Sequence, residues 1–356
     1  MAIQFVPFVS EHEAAVRAFN GRMKAGQAST PFLLQDVASH EPGYAGARHF
    51  LAVEGEDVRG GYFEVPYEVY AGGRRGVAVN CQSPLSEGLI DSKYMMLPAQ
   101  MFKFILKQNP FVFVVGMGGM QNPLPRLLKA AGWAVDAIPF FFRVCRAGRF
   151  LRHMPMLQTP AWKRLAAQAG ALSGLSGLAF RAVHRSQNLP GGKWNLEPGE
   201  WGPWCDAIWN EYLPEINFGA WRDERALRTL YPPGRAIAPL VLWRDGRIEG
   251  WSAVLLTPMK AHKNFGDLTV GTILDAVARP AARSALIELT TRHLAKCGAD
   301  LVVTNQSHQS WIAATRAAGF RPGPSNYVLA ASPKLAAAAG GRIHITRGDG
   351  DGRINL

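Results

Sequence analysis

Two residues join an acid–base side chain to a position just past a β-rich run. Glu87 closes the polar stretch Gln82 to Gly88 after an expected strand, Gly76 to Asn80, and His308 ends Asn305-Gln306-Ser307-His308, directly after the strand Leu301 to Thr304. A carboxylate so placed can take a proton from an amine. A histidine, with a reference pKa of about 6.5, can accept or give one near neutral pH. Each has a plainer reading beside it: a solvated loop carboxylate for Glu87, a helix-capping loop residue for His308. Gln82, Asn305, Gln306 and Asn326 are neutral hydrogen-bonding residues at strand ends, suited to binding a sugar or an amide and equally to turn chemistry. Arg222, with Asp223 and Tyr231, follows the aromatic-rich stretch Trp201 to Trp221, whose rings could stack on a sugar or pack on a helix surface.

The elements that must position these residues come in the same order twice. The first half reads as a strand, Ile3 to Phe8, and a helix, Glu11 to Lys24, capped by Ser10 with Glu13 three residues on. A hairpin follows, Phe50 to Val53 and Gly61 to Tyr70 around Glu54-Gly55-Glu56-Asp57. After Gly76 to Asn80 come a helix from Ser92 to Lys107, the apolar strand Phe111 to Val115, a helix from Leu124 to Ala131 stopped by Gly132, and a closing strand, Ile138 to Val144. The second half repeats this with strands Leu240 to Trp243, Gly250 to Leu256 and Leu268 to Leu274. Its helix Arg283 to Lys296, strand Leu301 to Thr304, helix Trp311 to Ala318 and closing strand Tyr327 to Ala330 complete the set. Two landmarks keep step, since Gly61 to Gly250 is 250 − 61 = 189 positions and Gly132 to Gly319 is 319 − 132 = 187. The expected organisation is a first unit over 1–147, a helical linker over 148–192, a second unit over 193–337 and a disordered Gly- and Asp-rich tail over 338–356.

Composition narrows the function classes. The 356 residues are 48% hydrophobic and 19% charged, as in a folded globular chain of two domains. Lys and Arg outnumber Asp and Glu by 39 to 27, a net +12 that attracts anions. No run of like charge or basic stripe interleaved with aromatics tracks a nucleic-acid backbone, so nucleic acid is not an expected partner. The four cysteines, Cys81, Cys145, Cys205 and Cys297, have neither metal-ligand nor disulfide-framework spacing. The start lacks a secretory signal and no apolar run of about 18 residues suggests a spanning helix, so a cytoplasmic protein is expected. Within 160–186, leucines and Phe180 alternate with Lys163, Arg164, Arg181 and Arg185, a pattern that suits peripheral contact with the inner membrane and also ordinary packing on the protein itself.

The order strand, loop, helix, strand, short helix, Gly-aromatic, strand resembles the GNAT superfamily of N-acetyltransferases in both halves. Asn305 followed by Ala317-Ala318-Gly319-Phe320 carries the likeness in the second half. Gln121-Asn122, Leu127-Leu128 and Gly132-Trp133 carry it in the first. Pro84 to Gly88, Gly116-Met117-Gly118-Gly119, Pro123 to Lys129 and Asn305 to His308 resemble a tandem subgroup associated with bacterial surface polysaccharides. The resemblance implies two tandem mixed α/β (α+β) domains, each a mostly antiparallel sheet flanked by helices. It also implies an acyl-CoA-dependent N-acyltransferase, using acetyl-CoA or another acyl-CoA on a small-molecule amine or sugar acceptor such as an amino sugar.

By the same likeness, Arg279-Pro280-Ala281-Ala282-Arg283-Ser284 stands where the pyrophosphate loop belongs, with Arg279, Arg283, Ser284 and Asn305 against coenzyme A. Ala282 and Ser284 replace the glycines that let backbone approach phosphate. The matching first-half loop, Ile90-Asp91-Ser92-Lys93-Tyr94, has no glycine, and Asp91 and Ser92 also read as helix caps. The tyrosine expected four residues before the Gly-aromatic glycine is Leu128 in one half and Thr315 in the other, so a water chain or His308 would have to donate the proton, with Glu87 the candidate base. Gln82, Gln306, Asn326 and Arg222 would hold the acceptor. Two alternatives stand beside this reading: an acyltransferase fold that has lost coenzyme A and only binds or scaffolds, and a FemAB-like transferase drawing on aminoacyl-tRNA.

Overall fold

A computed structural model describes residues 2–26, 46–158, 160–172, 175–234 and 236–350. They form two compact units. One comprises 1–136 with 328–341, the other 137–327 with 342–356.

In the first unit the sheet runs Gln4–Pro7, Arg48–Glu54, Asp57–Ala71, Arg74–Ser86, Val112–Gly116, Val328–Ala331, Ala134–Ala137. The first four strands are antiparallel neighbours, the fourth and fifth are parallel, and Val328–Ala331 returns antiparallel. Alternation along the strands sorts side chains to two faces. Leu51, Val58 and Leu85 meet Val16, Phe19 and Met23 of the helix Glu13–Ala25 on one. Phe50, Tyr62, Val79, Cys81, Val112 and Val114 meet the helices Leu97–Gln108 and Pro123–Ala130 on the other. Ser10 does not cap the first helix; it opens a 3-10 turn, Ser10–His12, ahead of it.

The second unit repeats the plan: Arg321–Gly323, Phe140–Val144, Leu301–Asn305, Thr269–Ala278, Arg247–Pro258, Ala238–Arg244, Trp194–Pro198. Here Phe140–Val144 lies antiparallel to Leu301–Asn305, in the position that Val328–Ala331 holds in the first unit. The helices Ala147–His153, Ala161–Leu172 and Leu175–Val183 belong to this unit. Phe150, Met154, Leu157 and Phe180 pack on Phe140, Phe142, Leu301 and Val303.

Two expectations are thereby corrected. The closing strands do not stay with the half that precedes them in the chain; each completes the sheet of the other unit. Short strands buried on both faces carry no periodicity that says which sheet they enter. The expected disordered tail is ordered over 338–350, where the helix Pro333–Ala339 ends, Ile343–His344 pairs in parallel with Phe218–Ala220, and His344, Ile345, Thr346 and Asp349 are buried. Residues 351–356 lie outside the described residues.

Both hairpins carry the same bulge. Arg59 is the extra residue before Gly60, which faces Ala52, and Glu249 is the extra residue before Gly250, which faces Leu242. Gly60, not Gly61, is therefore the counterpart of Gly250, 250 − 60 = 190 positions away.

Candidate functional site

Ligands of open α/β sheets sit beyond the carboxyl ends of parallel strands, where neighbours part. In the first unit the fourth and fifth strands pair only at Val79–Val112 and Asn80–Phe113. Past that point Tyr62 faces a bulge made by Ser83 and Pro84, with Ser83 at φ 47. In the second unit the parallel ladder runs from Val270–Leu301 to Ile273–Thr304, and a bulge at Leu274 follows at once. Each unit thus has one parting and one bulge beside it.

The second unit fills its own parting. Ser307 Oγ donates to the Ile343 carbonyl at 2.7 Å and accepts from Ile345 N–H at 2.7 Å, and Gln306 bridges Thr346, so the segment after Arg342 lies along the chain just past the strand Leu301–Asn305. On the fourth-strand side Gly348 is wedged where a Cβ would come within 2.1 Å of the Tyr231 hydroxyl, so only glycine fits. The segment is bound by charge. Arg222, fully buried, donates to Asp275 Oδ2 at 2.9 Å and to Asp349 Oδ1 at 2.7 Å. Tyr231 also donates to Asp275 at 2.9 Å. Burial alone would raise the Asp275 pKa; the Arg222 charge and the surrounding hydrogen bonds outweigh it and hold the group below the usual carboxylate range. His344 Nδ1 lies 3.0 Å from the Tyr212 hydroxyl, which itself accepts from Trp311 Nε1 at 3.2 Å. The other ring nitrogen, Nε2, faces Asp275 Oδ1 at 3.8 Å. That contact is too long for a hydrogen bond. Burial depresses the His344 pKa first of all, against the pull of Asp275.

The arginines expected at phosphate are engaged elsewhere. Arg279 forks onto Glu211 at 2.7 and 2.8 Å, and Arg283 is buried on Glu215, its guanidinium 5.2 Å from the Tyr212 ring centre and 5.5 Å from that of Trp311. Ser284 is half-buried in the first turn of the helix Arg283–Lys296. Asn305 donates to the Ile138 and Pro139 carbonyls and accepts from Arg347 at 3.2 Å, tying the fifth strand to the inserted segment rather than facing a ligand. His308 lies beside Ser310 Oγ at 2.8 Å and the Glu215 carbonyl at 3.2 Å, and burial lowers its pKa first of all, with His344 adding to the effect. It precedes the helix Gln309–Ala317 as a half-buried structural residue. Gln306 is buried on Thr304 at 3.1 Å, Asn326 is exposed in a loop, and Arg222 is the centre of the buried cluster instead of a sugar contact.

In the first unit Glu87 is not a free base. Arg22 Nε donates to one carboxylate oxygen at 2.5 Å and Arg59 Nη1 to the other at 3.0 Å. Gln82 is different. It sits one residue before the bulge, is 7% exposed, and its Nε2 finds no hydrogen-bond partner among the described residues. On the neighbouring strand, facing the other side of the sheet from Gln82, Glu64 is fully buried opposite Cys81, the first residue past the last parallel pair. Arg48 holds one of its oxygens at 2.6 Å, and desolvation raises its pKa against that pull. Glu64 escaped the sequence reading because a glutamate inside an alternating strand reads as solvent-facing; only the length of the strand Asp57–Ala71, buried on both faces through its middle, shows otherwise.

The loop that follows, Glu87 to Met96, makes two 3-10 turns and delivers the helix Leu97–Gln108. No side chain caps that helix, and its first turn holds Pro98 and no acid. Beside it Leu89, Met95 and Met96 stand 53%, 66% and 61% exposed. Across the parting, Gly116, Met117, Gly118 and Gly119 all take positive φ, which turns the chain sharply into the helix Pro123–Ala130.

The fold has counterparts among solved structures. A GCN5-related N-acetyltransferase from Anabaena variabilis superposes with a TM-score of 0.56 over 92% of this chain and 72% of that one, at 11% identity. Saccharomyces cerevisiae N-myristoyltransferase with bound myristoyl-CoA gives 0.53 over 93% and 79%, also at 11% identity. A probable N-acyltransferase from Enterococcus faecalis gives 0.51 over 93% and 72%, at 9% identity. The fold is the GNAT acyltransferase fold. No protein-family model and no curated protein matches the sequence, and at these identities the GNAT likeness is one of architecture.

Proposed function

We propose that this chain is an acyl-CoA-dependent N-acyltransferase whose acyl donor binds at the parting of the first unit. The carrying observation is Gln82. A buried amide donor without a partner is costly to keep unless something completes it. At the bulge beside parted strands, a thioester carbonyl oxygen would do so. The neighbourhood fits the rest of such a molecule: an uncapped helix start for phosphate, and bare Leu89, Met95 and Met96 for an apolar chain.

An acyl-CoA supplies the activated acyl carbon. Gln82 donates to its carbonyl oxygen and favours the charge that develops there. The amine nitrogen would bond to that carbon as the carbon–sulfur bond breaks, and the proton that the nitrogen loses would leave with the coenzyme A thiolate. The myristoyl-CoA held by one structural neighbour supports the donor class, of which acetyl-CoA is a short member. The acceptor is an amine, and an amino sugar of surface-polysaccharide metabolism is the form implied by the sequence resemblance.

The second unit favours a separate reading for itself, a binding or scaffolding half without coenzyme A. Its parting holds residues 343–349 and its loop arginines are paired with Glu211 and Glu215.

Thermal unfolding with acetyl-CoA and longer acyl-CoAs tests the proposal. At a hundredfold excess over the dissociation constant, a ligand adds about 2.7 kcal/mol. Gln82→Leu should keep the fold and reduce that gain. No shift with any acyl-CoA would end the proposal.

A further inference from the structure

The net charge of the chain is concentrated. Residues 137–196 contain nine Lys or Arg and no Asp or Glu, so 60 positions carry +9 of the +12, and the other 296 carry 30 − 27 = +3. No run of like charge marks this stretch. Three of the nine are met by acids elsewhere in the unit, Arg143 by Glu288 and both Arg146 and Arg149 by Asp300, and the other six have no acid in the stretch.

The same stretch holds the helices Ala147–His153, Ala161–Leu172 and Leu175–Val183. Their inward contacts are made by Phe150, Met154, Leu157 and Phe180, with Phe150 and Phe180 edge to face at 5.7 Å. Large apolar side chains also point the other way. Met156 and Trp162 are 66% exposed, Leu165 64% and Leu178 63%. Arg181, on the same helix as Leu178, and Arg185, just past its end, are both exposed.

We infer that these helices form a docking surface for the face of an anionic lipid bilayer. A polyanion such as RNA would engage the arginines but gain nothing from bare Leu165, Leu178 and Met156. An apolar protein groove would engage the leucines, while the absence of every carboxylate over 60 residues would be left without a reason. A bilayer takes both. Its phosphates meet the Lys and Arg side chains, and its acyl boundary accepts Trp and Leu side chains. Among the described residues no helix is long and apolar enough to cross a membrane, so the contact is with the surface. It stands or falls independently of the acyl-transfer reading.

The test is co-sedimentation of the full chain with phosphatidylcholine vesicles, with and without about one quarter phosphatidylglycerol. Expected is partition onto the anionic vesicles, about tenfold or more above the neutral ones, and its reduction by about tenfold in a Leu165→Asp, Leu178→Asp variant. Arg181→Glu with Arg185→Glu, on fully exposed positions, should reduce it with an unchanged melting temperature and covers the case in which the leucine variant fails to fold. No partition onto either vesicle overturns the inference. So does partition that the leucine variant, folded, leaves intact, and so does tRNA competing the vesicles away.

Discussion

Arg222 donates from Nη2 to Asp349 at 2.7 Å, across 127 positions of chain, while its Nε holds Asp275 at 2.9 Å. One buried guanidinium thus fastens the segment after Arg342 to the fourth strand of its sheet. Removing one partner of a buried charged group leaves the other uncompensated, at a cost of roughly 3–5 kcal/mol. Asp349→Ala should fall near the lower end, because Asp275 remains on Arg222. Urea unfolding checks this. An unchanged midpoint would mean that the segment does not hold the unit together.

Acid should loosen the second unit before it reaches the carboxylate range. Burial lowers the pKa of His344, His308 and His184, so the unfolded chain binds their protons more readily than the folded one. Their contribution is complete above the unfolded histidine value of about 6.5 and is lost as pH falls below it. Asp275 adds a second loss lower down, as pH falls below the ordinary carboxylate value towards its own depressed pKa. Glu64 in the first unit, with a raised pKa, works in the opposite sense. Stability measured from pH 7.5 to pH 5.5 should therefore decline, and His344→Gln should flatten the decline over about that window. A variant with the wild-type slope would show that His344 does not contribute.

Arg283→Ala separates a structural arginine from a phosphate ligand. The side chain is buried on Glu215 between the Tyr212 and Trp311 rings, so about 1.5–3 kcal/mol of stability should go with its charged hydrogen bond. Affinity for acyl-CoA, followed by calorimetry, should stay where it was. A loss of affinity with stability intact would restore the phosphate role.

The paired bulges make a steric prediction. A Cβ on Gly60 would stand 2.5 Å from the Leu85 carbonyl, and one on Gly250 would stand 2.4 Å from Ala278 Cβ. Either alanine should cost about 1–3 kcal/mol by overpacking. Gly76→Ala, where nothing lies within 4 Å, should stay within about 0.5 kcal/mol of wild type and serves as the control.

Much of the fold is legible in the residues. The hairpin around Glu54 to Asp57, the apolar strand ahead of Gly116 and the helix stops at Gly132 and Gly319 follow from periods and turn residues that act over a few positions. Gln82 was visible as a polar residue at a strand exit, though not as a buried one. Arg279, Arg283 and Glu87 had the right chemical types, but a side chain's type says nothing of whether a partner already holds it. Those partners, Glu211, Glu215, Arg22 and Arg59, lie 68, 68, 65 and 28 positions away.

What the sequence determined by itself is the menu of strands and helices and their order, since backbone sterics and side-chain alternation are local. Which sheet the strands at 140–144 and 328–331 complete, and that the stretch from His344 to Asp349 is buried rather than free, was decided only by the tertiary structure. A buried strand must find an edge with matching hydrogen bonds, and a charge leaves water only where an opposite charge is waiting. Both conditions are met by residues far along the chain, and so they exist only once the chain has closed on itself.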